Sequence, residues 1–172
     1  FKDDTQKKLE DFLSRLDTLT FQEKLGSMRD KSLRVEKLVA DLADDLGLVG
    51  EDLETSVRAA TLCKADLATS MVVEMTSLQG VIGRYYALAS GESDAVATAI
   101  EGHYHPRFPG DSIPDTLPGL AVSVADRLDS LAGLFGVGIK PRSMSDPYGL
   151  RRDALGLLAN LVIEDYAVEG SE

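Results

Sequence analysis

The chain has 172 residues, with 18 Lys and Arg against 29 Asp and Glu, a formal net charge of −11. Its 44% hydrophobic and 27% charged content suits one ordinary domain with a real core and excludes wholesale disorder. The acid excess argues against a free-standing nucleic-acid binder, which needs clustered Lys and Arg, and there is no apolar run of the roughly 18 residues a membrane helix requires.

Helical periodicity runs through almost the whole chain, and no strand is convincing. Residues 2–16 carry Leu9, Phe12, Leu13 and Leu16 at helical spacing, an amphipathic leading helix expected to protrude, ending near Thr18 to Thr20. A short turn from Phe21 leads to a long helix with the stripe Val35, Leu38, Val39, Leu42 and Leu46, stopped by Gly47 and Gly50. The next helix, residues 51–69, aligns Leu53, Val57, Ala60 and Leu67. The run Met71, Val72, Val73, Met75 is too short to decide between strand and helix. Residues 78–88 form a compact helix in which Gly80 and Gly83 permit close packing, and residues 92–104 form another.

Four of the six prolines, Pro106, Pro109, Pro114 and Pro118, mark a loop. The strongest helix follows, with Leu117, Leu120, Ala121, Val124, Leu128, Leu131 and Phe135 on its repeat and Gly136 and Gly138 at its end. Asp146-Pro147 reads as a cap and first turn for a last helix whose core stripe is Leu150, Ala154, Leu157, Leu158 and Leu161. The expected architecture is all-α: one compact domain of about seven helices spanning 1–172, with residues 1–20 as leading helix and 21–172 as helical core.

Few residues offer chemistry. Asp126 and Asp129 share a helix face, either as a metal or acid pair or, more simply, as a salt-bridged polar face. Lys64 follows an apolar face and suits a buried pair with Asp126 or Asp129 better than a phosphate contact. His103 and His105 alternate in a way that serves metal ligation poorly at a helix end. Arg107, Lys140, Arg142, Arg151 and Arg152 lie in or beside loops, the best candidates for a local anion-binding patch against the plainer reading of a solvated surface. Arg84 with Tyr85 and Tyr86 is either a stacking platform or half-buried core. The one cysteine, Cys63, excludes an internal disulfide framework and reads as a small core residue. The chain opens at Phe1 with no charged-then-apolar leader and reads as a segment of a longer protein.

Ordered motifs sharpen this. Phe21-Gln22-Glu23-Lys24-Leu25-Gly26-Ser27, Lys64-Ala65-Asp66-Leu67, Leu78-Gln79-Gly80, Gly83-Arg84-Tyr85-Tyr86-Ala87 and Gly91-Glu92 are followed by Pro106-Arg107 and Gly110-Asp111. Ala125-Asp126-Arg127-Leu128-Asp129, Leu134-Phe135-Gly136 and Asp146-Pro147 through Leu150-Arg151-Arg152 complete the series. Together they resemble the middle region of the β subunit of the two-subunit, bacterial-type glycyl-tRNA synthetase, over nearly the whole chain.

The resemblance implies a synthetase that joins glycine to its tRNA with ATP and Mg²⁺, in bacterial cytoplasm or a plant organelle, with no membrane role. Its aminoacylation site would lie in the α subunit, and the β subunit would contribute recognition of tRNA(Gly). It also implies an HD-like fold, whose active members hold a metal with a His, a His-Asp pair and a later Asp. The first His falls near Lys31 and the pair near Cys63-Lys64 or Ala65-Asp66, so only Asp126 persists. The expectation is a non-catalytic domain with no catalytic or metal-ligating residue and no cofactor of its own. Lys64 and Asp126 would form a structural polar pair at the former metal position, and Arg84, Arg107, Arg151 and Arg152 would be candidate tRNA contacts. The alternatives are a metal-dependent HD-type phosphohydrolase and a purely structural scaffold.

Overall fold

The computed structural model describes the backbone of residues 4–169 and, apart from residue 5, the side chains through Val162. A 3₁₀ segment, Leu9–Thr18, leads into a two-stranded antiparallel ribbon of β1 (Thr20–Gln22) and β2 (Gly26–Ser27). The α-helices are α1 (Met28–Asp41), α2 (Gly50–Leu62), α3 (Ser70–Glu74), α4 (Val81–Ala89), α5 (Asp94–Gly102), α6 (Leu117–Gly136) and α7 (Leu150–Glu169). The architecture is therefore compact and mostly helical.

Local chemistry sets the helix starts. Ser27 and Asp30 form a reciprocal capping box at α1: the Asp30 amide donates to Ser27 Oγ (3.1 Å), and the Ser27 amide donates to Asp30 Oδ2 (2.8 Å). Thr69, Ser93 and Thr116 cap α3, α5 and α6 through their side-chain oxygens, and Pro118 occupies the first turn of α6. The Leu150 and Arg151 amides at the head of α7 donate to the Asp146 carboxylate, each at 2.9 Å.

The centre of the fold is α6. Leu120, Ala121, Val122, Ser123, Val124 and Ala125 are buried in succession, so this stretch has no solvent face. A helix apolar on all sides must be enclosed, and α1, α2, α5 and α7 pack around it. The α4–α5 pair packs closely at Gly83, where a Cβ would lie 2.9 Å from Ile100 Cγ2 and 3.0 Å from Asp66 Oδ2.

Three expectations change. The leading segment does not protrude: Leu9, Phe12, Leu13 and Leu16 are buried in the main core. Each such side chain gains on the order of 1.5–3 kcal/mol by burial, so an amphipathic stripe of four docks rather than stands free. Hydrogen bonds hold it there: the Leu9 amide donates to Ser90 Oγ (2.7 Å), and buried Asp4 accepts from the Ser70 and Met71 amides and the Tyr86 hydroxyl. The turn at Phe21 is a short β-ribbon, and the ambiguous apolar run is helix α3. Finally, α7 buries only part of its leucine stripe: Leu150 is buried and Ala154 and Leu157 are half-buried. Leu158 and Leu161 face solvent, as do Leu155 and Val162, while Gly156 and Asn160 face the core.

Candidate functional site

Lys31 lies on the buried side of α1, one turn before Val35. Lys64 sits where α2 gives way to the 3₁₀ turn Ala65–Ala68. His103 caps the C-terminus of α5, and Asp126 and Asp129 lie one turn apart on α6. The close packing of α1, α2 and α5 on α6 brings all five together.

The geometry is that of a closed ion cluster. Lys64 Nζ donates to Asp126 Oδ2 at 2.9 Å, and Lys31 Nζ lies 3.0 Å from Asp126 Oδ1 as an ion pair outside hydrogen-bond angles. Lys31 also donates to Asp129 Oδ2 (3.0 Å), Ser130 Oγ (2.8 Å) and the Asp126 carbonyl (3.2 Å). Arg34 clasps Asp129 from the rim, its Nε 2.6 Å from Oδ1 and its Nη2 3.2 Å from Oδ2. Aromatic faces cover both ammonium groups: Phe21 at 4.8 Å from Lys31 Nζ and Tyr104 at 4.4 Å from Lys64 Nζ. The β-ribbon thus closes the site by carrying Phe21.

Protonation states follow from these neighbours. Burial by itself would lower the Lys64 pKa, but the Asp126 carboxylate, with Tyr104 and Cys63 adding to it, raises the value above the ordinary lysine range. Burial would likewise raise Asp126, yet Lys31 and Lys64 hold it well below the usual carboxylate range. His103 moves well below 6.5, through burial and then the adjacent Lys64 charge. It is therefore neutral, with Nε2 accepting from Lys64 Nζ at 3.0 Å and Nδ1–H donating to the Ile100 carbonyl at 2.6 Å. Burial pushes the Cys63 thiol up to about 12, and its Sγ donates to the Ala60 carbonyl at 3.3 Å. Asp66 turns away from the cluster and accepts from the Gly80 amide at 2.6 Å; burial pushes its carboxyl up to about 6.

Two ammonium groups on one carboxylate are the wrong donor set for a metal, because both nitrogens are protonated and carry positive charge. Among the described residues, no group of three His, Cys, Asp or Glu side chains could hold a metal ion. The two histidines point apart: His105 Nδ1 faces Asp111 Oδ2 at 3.0 Å while His103 faces Lys64.

The candidate arginines divide. Arg107 and Arg152 line one cavity of about 380 Å³ together with His103, Tyr104, Asp126 and Arg127. Arg107 donates to the Gln79 carbonyl at 3.2 Å and stacks 5.6 Å from the Tyr104 ring centre. Arg151 is exposed at the head of α7. Arg84 lies elsewhere, occupied by Glu101 at 3.1 Å and Asp94 at 3.6 Å. Beside it Tyr85 is exposed and Tyr86 is core, so the two tyrosines do not form one platform.

Sequence reasoning passed over Arg127, Arg34 and the inward role of His103. Arg127 is buried and donates to the Tyr104 and Pro106 carbonyls at 3.2 and 2.9 Å, pinning the proline loop to α6. Lys31 and His103 had a legible signal: each continues an apolar stripe, Lys31 with Val35 and Val39, His103 with Val96 and Ile100. A charged or polar residue on such a stripe needs a buried partner.

A family model described as glycyl-tRNA synthetase beta subunit matches residues 1–171. The chain is 52% identical over 169 residues to the glycine–tRNA ligase beta subunit of Clostridioides difficile (strain 630), covering 98% of this chain and 24% of that one. It is 51% identical over 162 residues to the corresponding subunit of Pseudomonas fluorescens (strain SBW25), covering 94% and 23%. For that of Trichodesmium erythraeum (strain IMS101) the identity is 49% over 158 residues, covering 92% and 22%. The chain thus spans about a quarter of the length of the curated relatives it matches.

Proposed function

Because the chain belongs to the glycyl-tRNA synthetase β-subunit family, we propose that it serves such a synthetase as one non-catalytic, HD-like helical domain, residues 1–172, supporting tRNA recognition and subunit architecture. The observation that carries the reading is the Lys31–Asp126–Lys64 cluster. The HD pattern assigns metal ligands near those positions, and here two ammonium groups hold the carboxylate instead. Lys64 reaches Asp126 and Asp66 does not, which favours matching the His-Asp pair to Cys63-Lys64 rather than Ala65-Asp66. With positive charge built into the chain, the domain has no hydrolytic centre to supply. ATP and Mg²⁺ belong to the whole synthetase, whose α subunit is the partner that carries aminoacylation.

For tRNA(Gly), the supporting feature is the cavity shared by Arg107 and Arg152, with Arg151 beside it, on a body of net charge −11. Such a patch offers a few phosphate contacts within a larger interface, and phosphate contacts position RNA rather than read its sequence. Arg84, already paired to two carboxylates, is the weakest of the four candidates.

The test is tRNA binding by the whole synthetase carrying Arg107→Glu, Arg151→Glu and Arg152→Glu together. Affinity is expected to fall at least tenfold at moderate salt, with a shallower salt dependence by roughly 0.7–0.9 in the log–log slope for each phosphate no longer neutralised. Arg84→Ala is expected to change little. Unaltered affinity and slope in the triple variant would leave a scaffold role alone.

A further inference from the structure

Helix α7 turns Leu150 inward and half-buries Leu157, yet it also carries an apolar outer side. Its inner side meets α6 through polar and small groups: Asp153 pairs with Arg127 at 3.4 Å, Asn160 Nδ2 donates to Ser123 Oγ at 2.9 Å, and Gly156 lies against the Arg127 guanidinium. Its outer side carries Leu155, Leu158, Leu161 and Val162, exposed by 62, 58, 40 and 53%. At 100° per residue, positions 155, 158 and 162 fall on one stripe with 161 beside it. Phe108, 62% exposed, extends the patch, and between it and Leu155 opens a cavity of about 420 Å³ walled by Pro106, Pro109, Gly156 and Ala159.

We propose that this outward face of α7, with the Phe108 cavity, is the seat of an apolar helix from the remainder of the same β subunit. The proposal rests on family membership; Arg107 and Arg152, which carry the RNA reading, also border this cavity, and the crosslink partner tells the two apart. Contiguous apolar surface of this kind marks a contact face rather than a solvent face. A stripe at i, i+3 and i+7 suits a second helix laid along it, with one large side chain entering the Phe108 cavity. The relatives are about four times as long as this chain, so most of such a subunit lies outside residues 1–172 and can cover the patch in cis, at high effective concentration. A second copy is a poorer occupant, because each copy brings a net charge of −11 to the contact.

The experiment uses a full-length β subunit containing this sequence. A photoreactive p-benzoylphenylalanine placed by Leu155→Bpa is expected to crosslink to an apolar helix of the same polypeptide outside residues 1–172. In parallel, maleimide labelling of Leu158→Cys is expected to run at least tenfold slower than that of Met144→Cys, Met144 being 99% exposed. Cys63, fully buried, stays silent in both, and the subunit without the added cysteine supplies the background. A crosslink to a second β copy or to the α subunit overturns the proposal. So does labelling of Leu158→Cys as fast as Met144→Cys without any crosslink.

Discussion

Replacing Asp126 by Asn tests the ion cluster most directly. The change keeps shape and volume but removes the carboxylate that Lys31 and Lys64 share. Lys31 retains Asp129 and Ser130; Lys64 is left with no carboxylate, only neutral acceptors in the Asn oxygen and the His103 nitrogen, and the Tyr104 face. Stripping one partner from a buried pair typically costs about 3–5 kcal/mol, since the other charge stays buried. A domain of this size has only about 5–15 kcal/mol to lose. Lys64→Met is milder, because Asp126 keeps Lys31, and about 1–2 kcal/mol is expected once the methionine stem replaces the lysine packing. The double variant Lys64→Met/Asp126→Asn removes the stranded charge and is expected to be more stable than Asp126→Asn alone by at least about 1 kcal/mol. Urea unfolding followed by far-UV circular dichroism reads all three, provided the m-values agree. If Asp126→Asn lost less than about 1 kcal/mol, or the double variant were the least stable, the cluster would not be held by mutual charge.

Two further outcomes follow from the core. His103 has a folded pKa well below 6.5, so the unfolded chain binds its proton first and stability falls as pH drops below about 6.5. Asp66 acts in the opposite sense: its carboxyl, raised from 3.8 to about 6, takes up a proton in the folded state and adds stability as pH falls through that value. The native chain is thus expected to change little in stability from pH 6.5 to 5, and Asp66→Asn to expose a loss approaching about 1.4 kcal/mol per pH unit. A flat profile in Asp66→Asn would show that His103 is not held neutral. Gly83→Ala would force a Cβ against Ile100 and the Asp66 carboxylate, and a loss of about 1–3 kcal/mol by thermal or urea unfolding is expected.

Much of this molecule was legible from periodicity and punctuation. The helix stripes at Val35 and Val39 and the run of Leu120, Ala121 and Val124 in α6 are local statements about which side chains avoid water. So is Asp146, read as a cap, whose carboxylate accepts the Leu150 and Arg151 amides at the head of α7. Family membership was legible for a related reason: motifs in order are a property of the chain itself. The placement of Leu9 to Leu16 was not, because a stripe announces that it will be buried but not against what, and it is the Ala65–Ala68 turn, α1 and the Asp4 hydrogen bonds that draw it in.

Helix α7 is the sharper case. Its leucines predict an inward stripe, yet Arg127 and Ser123 on α6 demand polar partners, and Asp153 and Asn160 meet that demand from the inner face, leaving Leu158 and Leu161 outside while Leu150 stays buried. An unpaired buried guanidinium costs more than exposed leucines do, so the polar face turns inward. The same holds at Asp126. The sequence by itself determined which residue types stand on each stripe, and hence that Lys31, Lys64 and Asp126 would need partners. That the partners are one another depends on α1, α2 and α6 meeting at that level, a relation among residues as many as 95 positions apart that tertiary packing alone decides.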